Sequence, residues 1–427
     1  MTSTSVLQLR DFRLLLVGQG LSWVGDAFSP IALSVAVVLG GGGAGELGLI
    51  LASAMVARLG CTLLGGVWAD RVAPHRIMAA TDGLRAASAT GMAAAFAVGE
   101  PPVALLAVLA AVSSGAGAFF FPAFVSLRPL VVPPDLRQSG NAAVSFTQSA
   151  AHVAGPVLAG FVVAHSGPVV GFAVNAATFV WSAACVLRVR SRAAVRVQRR
   201  SFLAETREGL DEIRSRDWLW TGLVSAGMFH IGTGVFTVLV EITAVRDLGG
   251  ARTLGFITAA QGVGGVLGGL LAMRVRPRRM LLWGFVALGA FPLFPLSFAW
   301  PGSLSAILAF AVLAQLGLMF FSVGWDTALQ DGIPHERLAR VASWDILISF
   351  LAIPVGNLLA GPAGDALETE TVMAGIAVWM LAAGCWPLLV RGVRSFGSAA
   401  PAAGEHASSG GAAGPASPQD SAATAAS

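Results

Sequence analysis

The stretch Gly65-Gly-Val-Trp-Ala-Asp70-Arg71-Val-Ala-Pro-His-Arg76 decides how this chain folds, because it separates two long apolar segments. Residues 47–64 precede it and residues 77–98 follow it, and both segments are mostly apolar. About 20 apolar residues form a helix that is long enough to cross the ~30 Å hydrocarbon core of a membrane. We therefore predict a tight, glycine-rich and cationic turn between two membrane spans.

The composition of the whole chain supports the same class of protein. Hydrophobic residues make up 55% of the sequence and charged residues only 12%. Soluble domains carry about 25% charged residues, so this chain is predicted to be an integral membrane protein. The three cysteines all lie in apolar segments, which predicts buried side chains and neither a disulfide framework nor a metal site. No pattern indicates a cofactor, and no Ser/His/Asp constellation or phosphate-binding loop indicates an enzyme.

Apolar segments of membrane-spanning length recur along the chain and predict an all-α protein. The first of them follows Arg10 and Arg13, and it is too long for the apolar region of a cleavable signal peptide. We therefore expect it to remain as the first span. The twelve predicted spans are 13–38, 46–67, 77–98, 103–126, 141–164, 168–187, 218–241, 253–273, 280–299, 303–327, 341–362 and 371–390.

The placement of the arginines tests this count and predicts the orientation. All arginines except Arg58, Arg85, Arg246 and Arg252 lie in turns and ends on one predicted side of the membrane. Cationic loops remain in the cytoplasm, so both termini are predicted to be cytoplasmic in a multi-pass protein of the plasma membrane. The basic charge is accounted for by topology and lipid headgroups, and it does not indicate nucleic acid.

The chain is predicted to consist of two halves, because it contains one long internal connection, which is basic. Residues 1–187 would form an N-terminal six-helix half and residues 218–395 a C-terminal six-helix half. Residues 188–217 would form a cytoplasmic linker with a helical stretch at 202–213. The tail 396–427 is rich in Ala, Gly, Ser and Pro, which predicts disorder.

The glycine-rich turn resembles the signature loop between helices 2 and 3 of the major facilitator superfamily, whose pattern is Gly-x-x-x-Asp-Arg/Lys-x-Gly-Arg-Arg/Lys. Gly66, Asp70 and Arg71 match the pattern, Ala73 replaces its second glycine and His75 one of its basic residues, and Arg76 supplies a basic residue one position later. The resemblance implies the major facilitator fold, with twelve transmembrane helices arranged as two six-helix pseudo-repeats. Substrate would bind near the midplane, between the halves.

Internal similarity between the halves strengthens this resemblance. Three segments of the first half recur in the second half after 201 to 203 residues: 65–77 at 268–280, 132–135 at 333–336, and 155–160 at 356–361. Three matches at nearly one offset predict a duplicated six-helix unit. The second copy has Met273 where the first has Asp70, so the charged gate is predicted on one side of the duplication only.

The resemblance also implies an inner gate. In the family the loop aspartate contacts the N-terminal end of helix 11, where the helix dipole and a basic side chain favour its carboxylate. The residues predicted to form this gate are Gly65, Gly66, Asp70, Arg71, Arg76 and Arg340.

The fifth predicted span narrows the resemblance to exporters. Ala151, Gly155, Pro156 and Gly160 resemble the helix 5 pattern Gly-x-x-x-Gly-Pro-x-x-Gly-Gly, with alanine in place of two glycines. Small residues allow helices to approach closely, here across the two halves. The segment is similar to the macrolide-efflux and enterobactin-exporter-like branch. One departure is Ala111, which stands where drug/proton antiporters often carry an arginine.

Charged residues inside predicted spans are costly, so each one is a candidate for function. Asp26 and Arg58 lie at similar depths in spans 1 and 2, and we predict that they form a midplane pair. Asp26 would then either exchange a proton or hold the two helices together statically. Asp82 and Arg85 are three residues apart on one helical face, which predicts a structural pair near the gate.

Neutral polar side chains at midplane depth are candidates for lining the substrate cavity. They can exchange hydrogen bonds with a substrate without the cost of a buried charge. The candidates are Gln19, Gln148, His152, His230, Gln261 and Asn357.

These features predict an exporter of amphipathic small molecules that works by alternating access, with protons as the expected coupling ion and membrane lipids as its surroundings. Two alternatives stay open from the same fold, namely a narrow-substrate exporter such as a siderophore exporter and a solute importer. A non-transporting membrane sensor is the alternative from another class. The intact first-half loop and the polar midplane residues favour transport.

Overall fold

The computed structural model describes residues 5–68, 72–189, 211–275, 277–299 and 303–397, and it is helical almost throughout. Most of the predicted linker and the predicted tail lie outside these residues. The helices of the first half are α1 (Arg10–Asp26), α2 (Phe28–Leu39), α3 (Ala44–Trp68), α4 (Pro74–Val98), α5 (Val103–Val131) and α6 (Arg137–Leu187).

The second half continues the same alternation of long helices and short turns. Its helices are α7 (Asp217–Arg246), α8 (Ala251–Arg274), α9 (Met280–Leu288), α10 (Leu293–Ala299), α11 (Leu304–Gly332), α12 (His335–Ala366), α13 (Thr369–Cys385) and α14 (Arg391–Ser395).

Helices α1 and α2 form one span that is broken at Ala27, and the sequence explains the break. Pro30 lacks the amide hydrogen that would bond the carbonyl oxygen of Asp26, four residues earlier. Helix α1 accordingly ends at Asp26 and α2 begins at Phe28. The break therefore places a carboxylate at a helix end in the middle of the span.

Helix α6 contains two spans that fold back on each other at Gly167. Gly167 has φ 81° and ψ 169°, a conformation that glycine adopts readily, and Pro168 follows it. A Cβ on Gly171 would lie 2.7 Å from the Val163 side chain, so the two arms of α6 pack against each other. The predicted spans 141–164 and 168–187 correspond to these arms.

The described helices fit the predicted twelve spans. Ten helical segments are long and apolar enough to cross a membrane, and the one that contains α6 supplies two spans. Helix α4 has 25 residues, which is also sufficient length, although it carries more polar residues. The predicted all-α membrane architecture is thereby confirmed.

The two halves contact each other mainly through two helix pairs, α6 with α8 and α3 with α12. A Cβ on Gly160 would lie 3.1 Å from the Cα of Gly255, and a Cβ on Gly361 would lie 2.7 Å from the Cα of Gly45. The internal repeat relates α3 to α8 and α6 to α12, so the two contacts are equivalent. Close backbone approach at glycine explains why small residues occupy these positions.

These contacts lie toward one end of the molecule, which we call the contact end. It contains the turns at 40–43, 99–102, 247–250 and 367–368, whereas the start of α1 and the end of α14 lie at the opposite end, which we call the terminal end. At the contact end Arg246 on α7 also donates a hydrogen bond to the carbonyl oxygen of Gly42, at 2.8 Å.

Candidate functional site

An ion pair between Asp26 and Arg85 lies at the centre of the first half. The Arg85 Nη2 atom is 2.5 Å from Asp26 Oδ1, and the guanidinium carbon lies 4.0 Å from the centre of the Phe179 ring. The Arg85 side chain is 16% exposed and that of Asp26 36%. Asp26 is therefore accessible, while its cation is fixed by an aromatic ring.

The predicted partner of Asp26 was wrong, because the depth of Arg85 was underestimated. Helix α4 begins at Pro74, earlier than the predicted start of the span at 77. Arg85 is thus eleven residues into the helix, or about 16 Å at 1.5 Å per residue. In the described residues Arg58 lines the same cavity but makes no salt bridge with Asp26.

The predicted pair of Asp82 with Arg85 was also wrong. Asp82 is fully buried, and its Oδ2 accepts a hydrogen bond of 2.6 Å from the hydroxyl of Ser182. That hydroxyl in turn accepts a hydrogen bond of 2.7 Å from Gln19 Nε2. Arg85 reaches Asp26 on α1 instead, so the two residues of the predicted pair hold α4 to two different neighbouring helices.

The chain Gln19–Ser182–Asp82 is a buried polar network that connects α1, α6 and α4. Asp82 Oδ1 and Gln19 Oε1 are buried without a hydrogen-bond partner in the described structure. The network lies where α1 and α4 both pack against α6. Its place beside the Asp26–Arg85 pair makes it part of the candidate site.

Two cavities meet at Asp26. The first, of about 450 Å³, lies within the first half and is lined by Gln19, Arg58 and Arg85 among others. The second, of about 590 Å³, lies between the halves and includes side chains of α6, α8 and α11. Trp23 and Asp26 line both cavities. A carboxylate in this position can interact with the contents of either cavity.

The cavity between the halves has a neutral polar face. His152, Gln261 and Gln315 line it together with apolar residues such as Met319. His152 Nδ1 lies 2.9 Å from the carbonyl oxygen of Gln148, so this nitrogen carries the hydrogen and donates it. The other ring nitrogen, Nε2, is left available to a ligand. Two of the predicted cavity residues, His152 and Gln261, therefore lie together.

The remaining predicted cavity residues lie elsewhere. Gln148 is half-buried one helical turn from His152. His230 donates to the carbonyl of Ala226 at 2.7 Å, and Asn357 is buried in the contact between α3 and α12. Midplane depth alone did not distinguish a cavity face from a helix contact, because both accept small polar groups.

The exporter-like motif of α6 serves two close contacts. Ala151, Gly155, Pro156 and Gly160 are all buried. A Cβ on Gly155 would lie 3.1 Å from the Cβ of Ala27, at the break between α1 and α2. The motif therefore packs against the broken first span through one face of α6 and against α8, in the second half, through another face.

The predicted gate loop is shorter than the sequence indicated. Gly65 and Gly66 belong to α3, which continues to Trp68, and Arg76 lies in the first turn of α4. Asp70 and Arg71 lie outside the described residues. Arg340 is half-buried near the start of α12. The assignment of these residues to an inner gate remains a prediction.

The end of the linker is attached to the start of α12 by charges. Glu212 Oε2 accepts a hydrogen bond of 2.5 Å from Arg337 Nη1, and Oε1 accepts one of 2.8 Å from Arg216 Nε. The hydrogen bond from Arg337 is the main cause that lowers the pKa of Glu212 below its ordinary value of 4.5. Glu212 is thus ionised at neutral pH and joins the linker to the helix that carries Arg340.

Sequence reasoning also missed Glu241, because the seventh span was predicted to end there. Helix α7 continues to Arg246, so Glu241 lies about one and a half turns inside the helix. The Glu241 carboxyl contacts Ser34 on α2.

Comparison with known proteins agrees with this architecture. The family model described as Major Facilitator Superfamily matches residues 15–356. Among curated proteins, the multidrug efflux pump Tap of Mycolicibacterium fortuitum is 25% identical over 383 residues, covering 84% of this chain and 90% of its own. The uncharacterized transporter y4rN of Sinorhizobium fredii is 26% identical over 345 residues, covering 77% of this chain and 82% of its own.

Solved structures resemble the fold at low sequence identity. A bacterial homologue of the human lysosomal transporter Spinster, in an inward-facing and unoccupied conformation, superposes with a TM-score of 0.68 at 14% identity. The match covers 92% of this chain and 98% of that chain. This likeness supports the fold alone.

Proposed function

The chain belongs to the major facilitator superfamily and is a transporter rather than an enzyme, and we propose that it exports amphipathic small molecules by proton-coupled alternating access. One observation carries the proposal: Asp26 lines both the cavity within the first half and the cavity between the halves. A titratable carboxylate at this position can exchange a proton on one side and respond to substrate on the other.

The cavity between the halves supports the proposed substrate class. Its volume of about 590 Å³ falls within the range of sites that bind drug-sized ligands. Trp23 and Met319 offer apolar surface, and His152 and Gln261 offer hydrogen bonds without fixed charge. Such a lining suits molecules that are largely apolar and carry a few polar groups.

Export, rather than import, is supported by two features. The relatives with a printed function are multidrug efflux pumps, although they share only about a quarter of their residues with this chain. The buried residues of the α6 motif follow the exporter pattern. A narrow-substrate exporter and an importer of the same fold are the competing functions.

The proposed orientation places the terminal end in the cytoplasm, as the arginine distribution predicts. The contacts between α3 and α12 and between α6 and α8 would then close the outer side. Protonation of Asp26 would weaken its attraction to Arg85, and loss of the proton would restore the pair. This exchange would couple proton movement to the packing of α1 against α4.

Uptake of a fluorescent amphipathic dye into inverted membrane vesicles, with and without an imposed pH gradient, tests the proposal. We expect gradient-driven uptake for the wild type and its loss in Asp26→Asn. The control Asp247→Asn, an exposed acid in a turn at the contact end, should transport normally. Uptake that is unaffected by Asp26→Asn would contradict the coupling role, and accumulation in intact cells from external substrate would favour import.

A further inference from the structure

The carboxyl group of Glu241 connects the two halves at the contact end. Its Oε2 atom lies 2.5 Å from the hydroxyl oxygen of Ser34 on α2. The same hydroxyl lies 2.9 Å from the carbonyl oxygen of Pro30. Ser34 is fully buried, so water does not compete for this hydroxyl. The contact therefore consists of three oxygen atoms in a row.

The number of protons in this row indicates the state of the carboxyl group. A serine hydroxyl has one proton to donate, and a carbonyl oxygen can only accept. If Ser34 donates to Pro30, the short contact with Glu241 requires a second proton, which a protonated carboxyl supplies. The acid would then donate to Ser34 Oγ, and all three oxygen atoms would be satisfied.

No cation in the described structure compensates an ionised Glu241. Five charged residues lie toward the same end on α7 and on the helices packed against it: Arg246 on α7, Glu46 on α3, Arg252 on α8, Asp365 on α12 and Glu370 on α13. Helix α2 carries no titratable residue. Arg246 instead donates to Gly42, and Arg252 lies 5.4 Å from the centre of the Phe161 ring. Ser34 is the one described hydrogen-bond partner of Glu241.

The packing around Glu241 makes its charge state matter for the contact. Glu241 itself is half-buried, whereas its partner Ser34 is fully buried. An ionised carboxylate without a cation nearby is costly in such surroundings, whereas a protonated one allows both contacts of the Ser34 hydroxyl to be hydrogen bonds at once. Separation of the halves would admit water and remove that cost.

From this geometry we infer that Glu241 is a second proton-binding site, which holds the contact end together when protonated and releases its proton when the halves separate. The O–H bond of Glu241 breaks, the proton passes to entering water, and the hydrated carboxylate remains. Reprotonation reverses the step and restores the contact with Ser34. The inference rests on the proposed alternating access, but it concerns a group distinct from Asp26.

Distances between spin labels test this inference without any substrate. Labels on Val98→Cys and Leu367→Cys would report on the contact end from opposite halves, because both side chains are exposed there. Cys61, Cys185 and Cys385 are replaced first. Pulsed electron paramagnetic resonance on protein in lipid nanodiscs then measures the populations of short and long distances from about pH 5 to about pH 9.

We expect the long-distance population of the wild type to increase with pH. Linkage to one proton changes the ratio of separated to contacting molecules by up to about tenfold per pH unit. Glu241→Gln keeps a donor for Ser34 but cannot ionise, so its short distance should persist at every pH. Ser34→Ala removes the partner and should separate the halves at a lower pH than the wild type.

A matched control separates this effect from general acid titration. Glu370→Gln removes another acid at the contact end, an exposed one, and should retain the pH dependence of the wild type. The inference is overturned if Glu241→Gln responds to pH as the wild type does, or if the wild type shows no response. Dye uptake is a separate readout, so failure of the proposed export would leave the distance result interpretable.

Discussion

Arg85 determines the geometry of the central site, because it pairs with Asp26 and also stacks on Phe179. We predict that Arg85→Ala lowers the free energy of unfolding by about 2 kcal/mol, at the lower end of the range for buried charge pairs, because the pair is partly exposed. Arg85→Lys should lose less, since it keeps the charge but not the planar stacking group. Thermal unfolding in detergent measures both.

The control for this prediction is Arg58→Ala. Arg58 lines the same cavity as Arg85 but makes no salt bridge with Asp26 in the described residues, so its removal should cost less. If Arg58→Ala proved as destabilising as Arg85→Ala, the ion pair with Asp26 would not account for the effect of Arg85→Ala.

Individual residues show where sequence reasoning reached its limit. The polarity and depth of Asp26, Gln19, His152 and Gln261 identified them as site residues, and the structure places all four along the two cavities. The partner of Asp26 was missed because a guanidinium extends several ångströms from its helix, so similar Cα depth is a poor guide to pairing. Which helices are neighbours decides the partner, and that information is not local in sequence.

The approach of α6 to α8 depends on Gly255. A Cβ there would lie 2.5 Å from the carbonyl oxygen of Pro156, which is too close without a backbone shift. We predict that Gly255→Ala lowers the free energy of unfolding by about 1–3 kcal/mol, as overpacking does in other proteins. It should also lengthen the distance between labels at Val98 and Leu367.

A second glycine provides the control for this prediction. A Cβ on Gly375 of α13 would meet nothing within 4 Å. Gly375→Ala should therefore be neutral, or stabilising by up to about 1 kcal/mol through helix propensity. Equal effects of the two substitutions, in thermal unfolding or in the label distance, would show that the α6–α8 contact does not require glycine.

At the level of helices, the sequence predicted which helices exist and in what order better than it predicted where each helix begins and ends. The apolar segments identified the spans, but α4 begins at Pro74 and α7 continues to Arg246, beyond the predicted bounds. Both errors arose because polar residues near a span end can still be helical. Because of these misplaced helix ends, the depth of Arg85 in the membrane was underestimated and Glu241 was not recognised as lying within a helix.

For the whole molecule, the duplication predicted more than any single motif. The offset of 201 to 203 residues relates α3 to α8 and α6 to α12, and these are the helices that join the halves. The conformation could not be predicted, because under the proposed alternating access one sequence serves two states. The described contacts lie toward the contact end, and the gate at the opposite end rests on the sequence alone.

That gate leads to a prediction about the balance between the two states. Asp70→Asn removes the charge that would meet the start of α12 and Arg340 when the terminal end closes, so closure should be less favourable. Charge-assisted hydrogen bonds contribute about 1.5–3 kcal/mol, so dye uptake should decrease at least about tenfold, with thermal unfolding unchanged. The exposed Asp135→Asn serves as the control at the same end. Transport by Asp70→Asn at the wild-type rate would exclude the loop as a gate and leave the Glu212–Arg337 contact as the attachment described at that end.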